Sequence, residues 1–564
     1  MSRALVSESS FVFKEIQDSK RSEPFSKKDL IKVSHKYRSV IHAAIGKVDA
    51  RNGDEQKLVF NQIEIIWHLC EILFIDIHQT GILLPQLLAW IRWHHPSVNR
   101  KTEAILNSST PHTHSNYWDV VTTFVLRGEV ENALNLLKLH PNSKQNEFVI
   151  VLELLRKMPV FGGGQALCEY NMRWQAWSNE CQFRFESGID DAHLQRIVGL
   201  LAGDVPTFKY VLHLTDTWYH LMVSLLLYTD PTFKEVDISV FAQQCVDIYL
   251  SSDPDKELTS FDKILIAAFN YDLMQVIMES SFALKDNWWF VTHFVDLLYN
   301  GNLLEFYELV EASKLRESLI LDYANSLMSH SSLWLIAVDY FDACPILGKQ
   351  HLELTLERIP IEDERKALKI IQVAERRNLR ELVKSVKKIV SIKWLARNRL
   401  GSALVWAIRS EDLALTTHIA DLFLKHYTKY RKFPDEDVLY NLGPLMLICD
   451  RLIFLGKYNE FSMLRKQCLL QEAGEILVSL ISSKISPKFF LPTLLTDSIV
   501  LLEAEKQILN SDQTFQILAA LEDYTCFNNS ENFKDEVDLE SFKEKEDILR
   551  LAISRNMARS LITL

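Results

Sequence analysis

Two apolar helices joined by a short polar corner form the unit that most restricts what this chain can become. In RLGSALVWAIRSEDLALTTHIADLFLKHY, Arg399 to Tyr427, the first helix sets Ala403, Leu404, Ala407 and Ile408 on one stripe. The corner is Arg409-Ser410-Glu411-Asp412. Ser410 is expected to cap the second helix, and the two acids suit that helix's positive end. The second helix aligns Leu415, Ile419, Leu422 and Phe423 at i, i+4, i+7 and i+8. One such hairpin cannot bury its stripe by itself, so it must stack on neighbours of the same kind.

The pattern recurs. VVTTFVLRGEVENALNLLKL turns at Gly128, and further corners are expected at Tyr271, Gly301, Pro345, Arg377 and Gly456. From Tyr271 through Gly301, Pro345, Arg377, Glu411 and Gly456 the steps are 30, 44, 32, 34 and 45 residues, the size class of two-helix repeats. The expected fold is therefore all-α, an elongated α-helical solenoid. Composition agrees: 16 glycines and 15 prolines in 564 residues are too few for the many tight turns of an all-β chain.

Charge and cysteine usage exclude several classes. The net charge of −12 disfavours direct nucleic-acid binding, although Lys384, Lys387 and Lys388 make a local basic cluster. The eight cysteines are scattered with no CxxC pair, which points to free thiols and away from a disulfide frame or zinc site. No leader or transmembrane segment is expected. The most apolar stretch, NQIEIIWHLCEILFIDIH, carries Glu64, Glu71 and Asp76 and reads as a buried helix.

No catalytic motif is present, and neither enzyme activity nor a cofactor is expected. Gly162-Gly163-Gly164 lacks the lysine and hydroxyl of a phosphate loop. His94, His95, His112 and His114 are the densest histidine group and would be the ligands if the chain held a metal. Glu362-Asp363-Glu364 reads as a helix start. Trp174, Trp177, Trp218, Tyr219, Trp288, Trp289 and Trp334 read as core anchors, with partner hot spots as the sharper alternative.

At the ends, residues 1–34 are polar and expected to be partly disordered, and 527–538 (FNNSENFKDEVD) reads as a flexible insert. The last helix carries Leu549, Ile553, Met557 and Leu561 at four-residue steps. That stripe must pack on the chain's own end or on a partner, and it is the candidate partner-binding site.

Seven segments, in order, resemble the nucleoporin eighty-five family: HKYRSVIHAAI, IIWHLCEILFIDI, WYHLMVSLLLYTDPTF, NWWFVTHFVDLL, LWLIAVDYFDACPILG, NRLGSALVWAIRS and NLGPLMLICDRLIFLGKY. The resemblance runs from about His35 to the C-terminal helix. It implies a non-enzymatic scaffold of the Y-shaped outer-ring complex of the nuclear pore, at the nuclear envelope and in mitosis at kinetochores. It also implies support of pore assembly, mRNA export and protein transport. The implied fold is the helical block shared with vesicle coats, with trunk and crown over 35–440 and a tail over 441–564. The tail would join other scaffold nucleoporins of the Y complex. A vesicle-coat or adaptor solenoid outside the pore shares the architecture and is the alternative. The family also donates an N-terminal β-blade to a Seh-type WD-repeat propeller. The present sequence has no strand-rich run before Lys36, so that blade is expected to be absent. A shorter isoform, a misplaced start or a lineage that lost the blade would each account for this.

Overall fold

The computed structural model describes residues 3–19, 26–48, 54–76, 82–108, 110–161, 166–215, 217–253, 256–284, 288–306, 311–528 and 536–562. The glycines at 162–164 lie outside these residues, as does most of the 527–538 insert. Among the described residues there are thirty α-helices, five short 3-10 turns and one π-helical turn, and no strand. The all-α expectation holds, and the helix pair is the repeating element.

The corners show how the sequence makes the turns. Six of them pass through one non-glycine residue in the left-handed region: Tyr271, Asn302, Asn378, Asn398, Glu411 and Cys468, with φ from 56 to 61°. Asparagine tolerates that conformation because its short amide bonds locally. Gly128 (φ 64°), Tyr271 and Glu411 turn where expected. At Gly301 and Arg377 the left-handed residue is the next one along. The corner near Pro345 lies between Trp334–Asp342 and Gly348–Arg358.

Two local expectations are corrected. Gly456 is no corner but lies inside the helix Asp450–Lys466, whose end turns at Cys468. Buried Leu452, Leu455, Tyr458 and Phe461 flank the glycine, and their packing outweighs its roughly 1 kcal/mol helix penalty. In the opening hairpin the cap of Leu413–Tyr430 is Asp412, which accepts from the Leu415 N–H at 2.9 Å. Ser410 instead ends Leu400–Ser410 and donates to the Ala407 carbonyl. Of the stripe, Ala403, Leu404, Ala407, Ile408, Ile419 and Phe423 are buried, and Leu415 and Leu422 are half-buried.

The chain forms two compact units, Met1–His351 and Leu352–Leu564. In the first, helices do not meet only their chain neighbours. Asp54–Cys70 packs against Ser260–Phe269 and Trp289–Asn300, and Leu84–His94 packs against Trp218–Thr229, so the chain turns back on itself. Asp54–Ile75 is the one described segment long and apolar enough to cross a membrane, and 67% of its apolar window is buried within the protein. It is a core element, with Phe60, Ile63, Ile66 and Trp67 all buried.

The N-terminal segment departs from expectation. Residues 3–19 form a helix that buries Leu5, Val6, Val12, Phe13 and Ile16. Its serines made the stretch look like a solvated tail. Two of them are buried and bonded within the helix, Ser9 to the Val6 carbonyl and Ser10 to the Ser7 carbonyl. Ser9 also accepts from the Trp289 indole at 2.9 Å, and Phe13 stacks on Tyr340 at 4.2 Å. Gln17 bridges the buried Asp296–Arg316 pair, donating to Asp296 at 3.0 Å and accepting from Arg316 at 3.0 Å.

In the second unit a hydrophobic core cluster runs from Ala403 to Ile553. Leu439 and Leu442 stand on either side of the expected 440/441 boundary, and both belong to it. A division there has no counterpart in the packing.

Candidate interaction surfaces

The histidines are the residues that would carry any metal chemistry. The structure separates the four named above. His94 pairs with His68, one imidazole N–H donating to the other's bare nitrogen at 3.1 Å. His95 stacks on His220 at 5.8 Å. His112 lies edge-on to His140, and His114 accepts from the Asn116 N–H. Among the described residues no three of His, Cys, Asp and Glu converge on a metal-sized site. All eight cysteines are free, and four of them are buried.

Burial, not catalysis, explains the shifted histidines. His220 is 3% exposed, its ring nitrogens have no hydrogen-bond partner among the described residues, and its pKa is pushed down to about 3. Desolvation is the main cause, with His95 and Arg127 adding to it. His293 is fully buried, donates from Nδ1 to the Trp289 carbonyl and accepts from the Tyr340 hydroxyl, and burial holds its pKa at about 4. Both rings fold neutral, whereas in the unfolded chain they titrate near about 6.5. A depressed folded pKa contributes stability that is present above the unfolded value and is lost as pH falls towards the folded one. Going from about pH 7.5 to about 5.5 is therefore expected to cost the first unit about 3 kcal/mol from these two rings. Denaturant unfolding at both pH values checks this, and an unchanged midpoint would count against it.

The aromatic anchors face inward. Trp177, Trp218, Tyr219, Trp289 and Trp334 are buried, and Trp174 and Trp288 are half-buried. The Trp177 indole donates to the Leu154 carbonyl, and the Trp218 indole to Asp262. The five buried rings set the packing of the first unit. Sequence reasoning missed Trp93, which is 56% exposed. It sits among alternating apolar and basic residues, and the pattern does not say which side meets solvent.

The C-terminal stripe is likewise internal. Leu549 and Ile553 are 1% and 2% exposed and belong to the second unit's core. Met557 is half-buried, and the side chain of Leu561 lies outside the described residues. Of the two possibilities for that stripe, the chain's own end takes its first two members. The Glu536–Ile562 helix packs on Leu491–Leu502 and Ser511–Asn528. Among its described side chains the exposed large apolar ones are Ile548 and Leu551, 54% and 51% exposed and three residues apart. A second apolar surface lies around Tyr440, Leu445 and Leu447, which are 76%, 50% and 71% exposed. Beside it is an open groove of about 290 Å³ between Val405 and Ile408 on one side and Val438, Leu442 and Leu445 on the other. Exposed apolar side chains grouped like this mark contact surfaces more often than isolated ones do.

The family described as Nup85 Nucleoporin matches residues 1–523. The nuclear pore complex protein Nup85 of Bos taurus is 40% identical over 559 residues, covering 95% of this chain and 84% of that protein. Nup85 of Homo sapiens is 39% identical over 586 residues, covering 99% and 88%. A more distant relative, the nuclear pore complex protein Nup75 of Drosophila melanogaster, is 31% identical over 566 residues, covering 95% and 84%.

Proposed function

The chain belongs to the Nup85 nucleoporin family, and from that premise we propose that it is a structural scaffold of the nuclear pore outer ring, within the Y-shaped subcomplex. It is a nuclear pore complex nucleoporin and resides at the nuclear envelope. The observation that carries the reading is the likeness to pore proteins along nearly the whole chain. The vesicle-coat or adaptor alternative is not favoured, because the curated relatives are pore proteins.

In this reading the chain performs no chemistry. Its stacked helix pairs hold partners in fixed geometry, and through that it supports pore assembly, mRNA export and protein transport. Residues 441–564 join other Y-complex nucleoporins. Their contact surface is the exposed face of the last helix, Ile548 and Leu551, together with the groove beside Leu445. A Seh-type propeller is a further partner, reached through the helical block. Fluorescent tagging of the full chain in its own cells tests the reading. A continuous rim at the nuclear envelope, with fewer assembled pores after depletion, is the expected result. Cytoplasmic vesicle staining with intact pores would refute it.

A further inference from the structure

One helix hairpin of this acidic chain is strongly basic. Residues 364–399 carry twelve basic and three acidic residues, within a chain of net charge −12. They form Glu364–Arg376 and Arg380–Ala396, which pack together in the second unit. The inner face of Arg380–Ala396 buries Leu382, Val383, Val386 and Val390. On its outer face Ile389 and Ile392 are 39% and 46% exposed. Ser385 and Ala396, also exposed, complete a narrow strip with them at helical spacing, and exposed Glu381, four residues before Ser385, stands at its N-terminal end.

Basic side chains edge that strip on both sides. Arg380, Lys384 and Lys388 make an i, i+4, i+8 row along one border, and Lys393 and Arg397 lie along the other, all of them exposed. On the first helix Arg365, Lys369 and Arg376 are exposed around Leu368, itself 49% exposed. Lys384 and Lys388 reach Glu411 and Asp412 of the following corner, and Lys387 reaches Glu375. The Lys384–Glu411 pair is exposed on both sides, and pairs of that kind hold weakly. Arg365, Lys369, Arg376 and Arg380 have no carboxylate at ion-pair distance among the described residues.

We propose that this basic, isoleucine-centred face is a peripheral docking surface for an anionic lipid membrane. An apolar strip between two basic borders is the arrangement of helices that lie at a membrane surface. The isoleucines reach the headgroup–acyl boundary while lysine and arginine stems extend sideways to lipid phosphates. The centre of the strip is small and aliphatic, without the aromatic, methionine or arginine anchors in which protein interfaces are enriched. It also offers no open ring for stacking a nucleic-acid base: Trp394 is half-buried, with Arg397 over its face at 5.6 Å. Attraction to anionic lipid amounts to roughly a five-fold gain in partitioning per basic residue near the surface, and it is screened by salt.

The test is co-sedimentation of the purified full chain with vesicles of phosphatidylcholine alone and vesicles containing roughly one-third phosphatidylserine. The expected result is partitioning at least about tenfold stronger onto the anionic vesicles, weakening as salt rises. Arg380→Glu with Lys388→Glu is expected to abolish that preference. Ile389→Ser with Ile392→Ser is expected to weaken binding severalfold while leaving the salt dependence intact. Lys209→Glu with Lys234→Glu, exposed lysines of the first unit, should bind like the parent. Circular-dichroism melting confirms that each variant folds. Equal binding to both vesicle types, or hairpin variants indistinguishable from the parent, would overturn the proposal. So would retention on polyglutamate or an RNA homopolymer without vesicle binding, which would make the face a site for an acidic protein or a nucleic acid.

Discussion

Asp296→Ala is expected to destabilise the Met1–His351 unit by about 3–5 kcal/mol, because it leaves the Arg316 guanidinium buried and unpaired. Asp296 is fully buried and Arg316 is 6% exposed, with Nε 2.6 Å from the carboxylate. Burial pushes the Asp296 carboxyl above the ordinary carboxylate range, while Arg316, Gln17 and Asn300 draw it back. Removing one partner is therefore costlier than removing both. Asp296→Leu combined with Arg316→Met should recover most of the loss. The effect should spread to the N-terminal helix, since Gln17 loses its acceptor on Asp296 and keeps only an Arg316 that the carboxylate no longer holds in place. Hydrogen exchange in Arg3–Ser19 should rise in Asp296→Ala above the level of the rest of the unit. A variant that unfolds at the parent's denaturant concentration would show that the pair is not what ties this helix down.

The C-terminal helix separates folding from binding. Ile553→Asp places a carboxylate in the core that holds Leu477, Leu495, Leu549 and Ala552. It is expected to unfold the Leu352–Leu564 unit or cost it more than about 4 kcal/mol, as buried unpaired charges do. Ile548→Asp with Leu551→Asp changes only exposed positions, so its stability should stay within about 1 kcal/mol of the parent. That double variant is nevertheless expected to weaken binding to scaffold partners more than about tenfold, as loss of a central apolar contact does. If Ile553→Asp folded normally while Leu551→Asp unfolded the unit, the assignment of the two faces would be reversed.

Much of the fold was legible because the repeating hairpin has two signals that act together. Apolar residues at i, i+4, i+7 and i+8 mark the buried stripe, and a polar or glycine corner marks the turn. At Gly128, Tyr271 and Glu411 both signals coincide, and the structure turns there. At Gly456 only the glycine was present. The apolar pattern continued through it, and packing kept the helix intact. The same logic explains the N-terminus. Leu5, Phe13 and Ile16 were a legible stripe, but serines between them hid it. Those serines are buried because their hydroxyls find carbonyls and an indole, which a residue pattern does not reveal.

The candidate site was legible only in part. Four-residue steps from Leu549 to Met557 correctly marked an apolar face on the last helix. A stripe cannot say whether its cover comes from the same chain, and here Leu549 and Ile553 are taken by the unit's own core. The solvent-facing pair, Ile548 and Leu551, is out of phase with the stripe and was invisible without the packing. The basic hairpin was half legible. The cluster at Lys384, Lys387 and Lys388 was plain in the sequence, whereas the isoleucine strip beside it depended on which side of the helix is buried.

The central claim is that this chain is a pore scaffold held in place by surfaces of its second unit. Its most direct test is quantitative mass spectrometry of proteins that co-purify with the tagged full chain from its own cells. Stoichiometric recovery of Y-complex nucleoporins is the expected result, with their loss from the Ile548→Asp, Leu551→Asp variant. Recovery of no pore component by the parent chain would contradict the account.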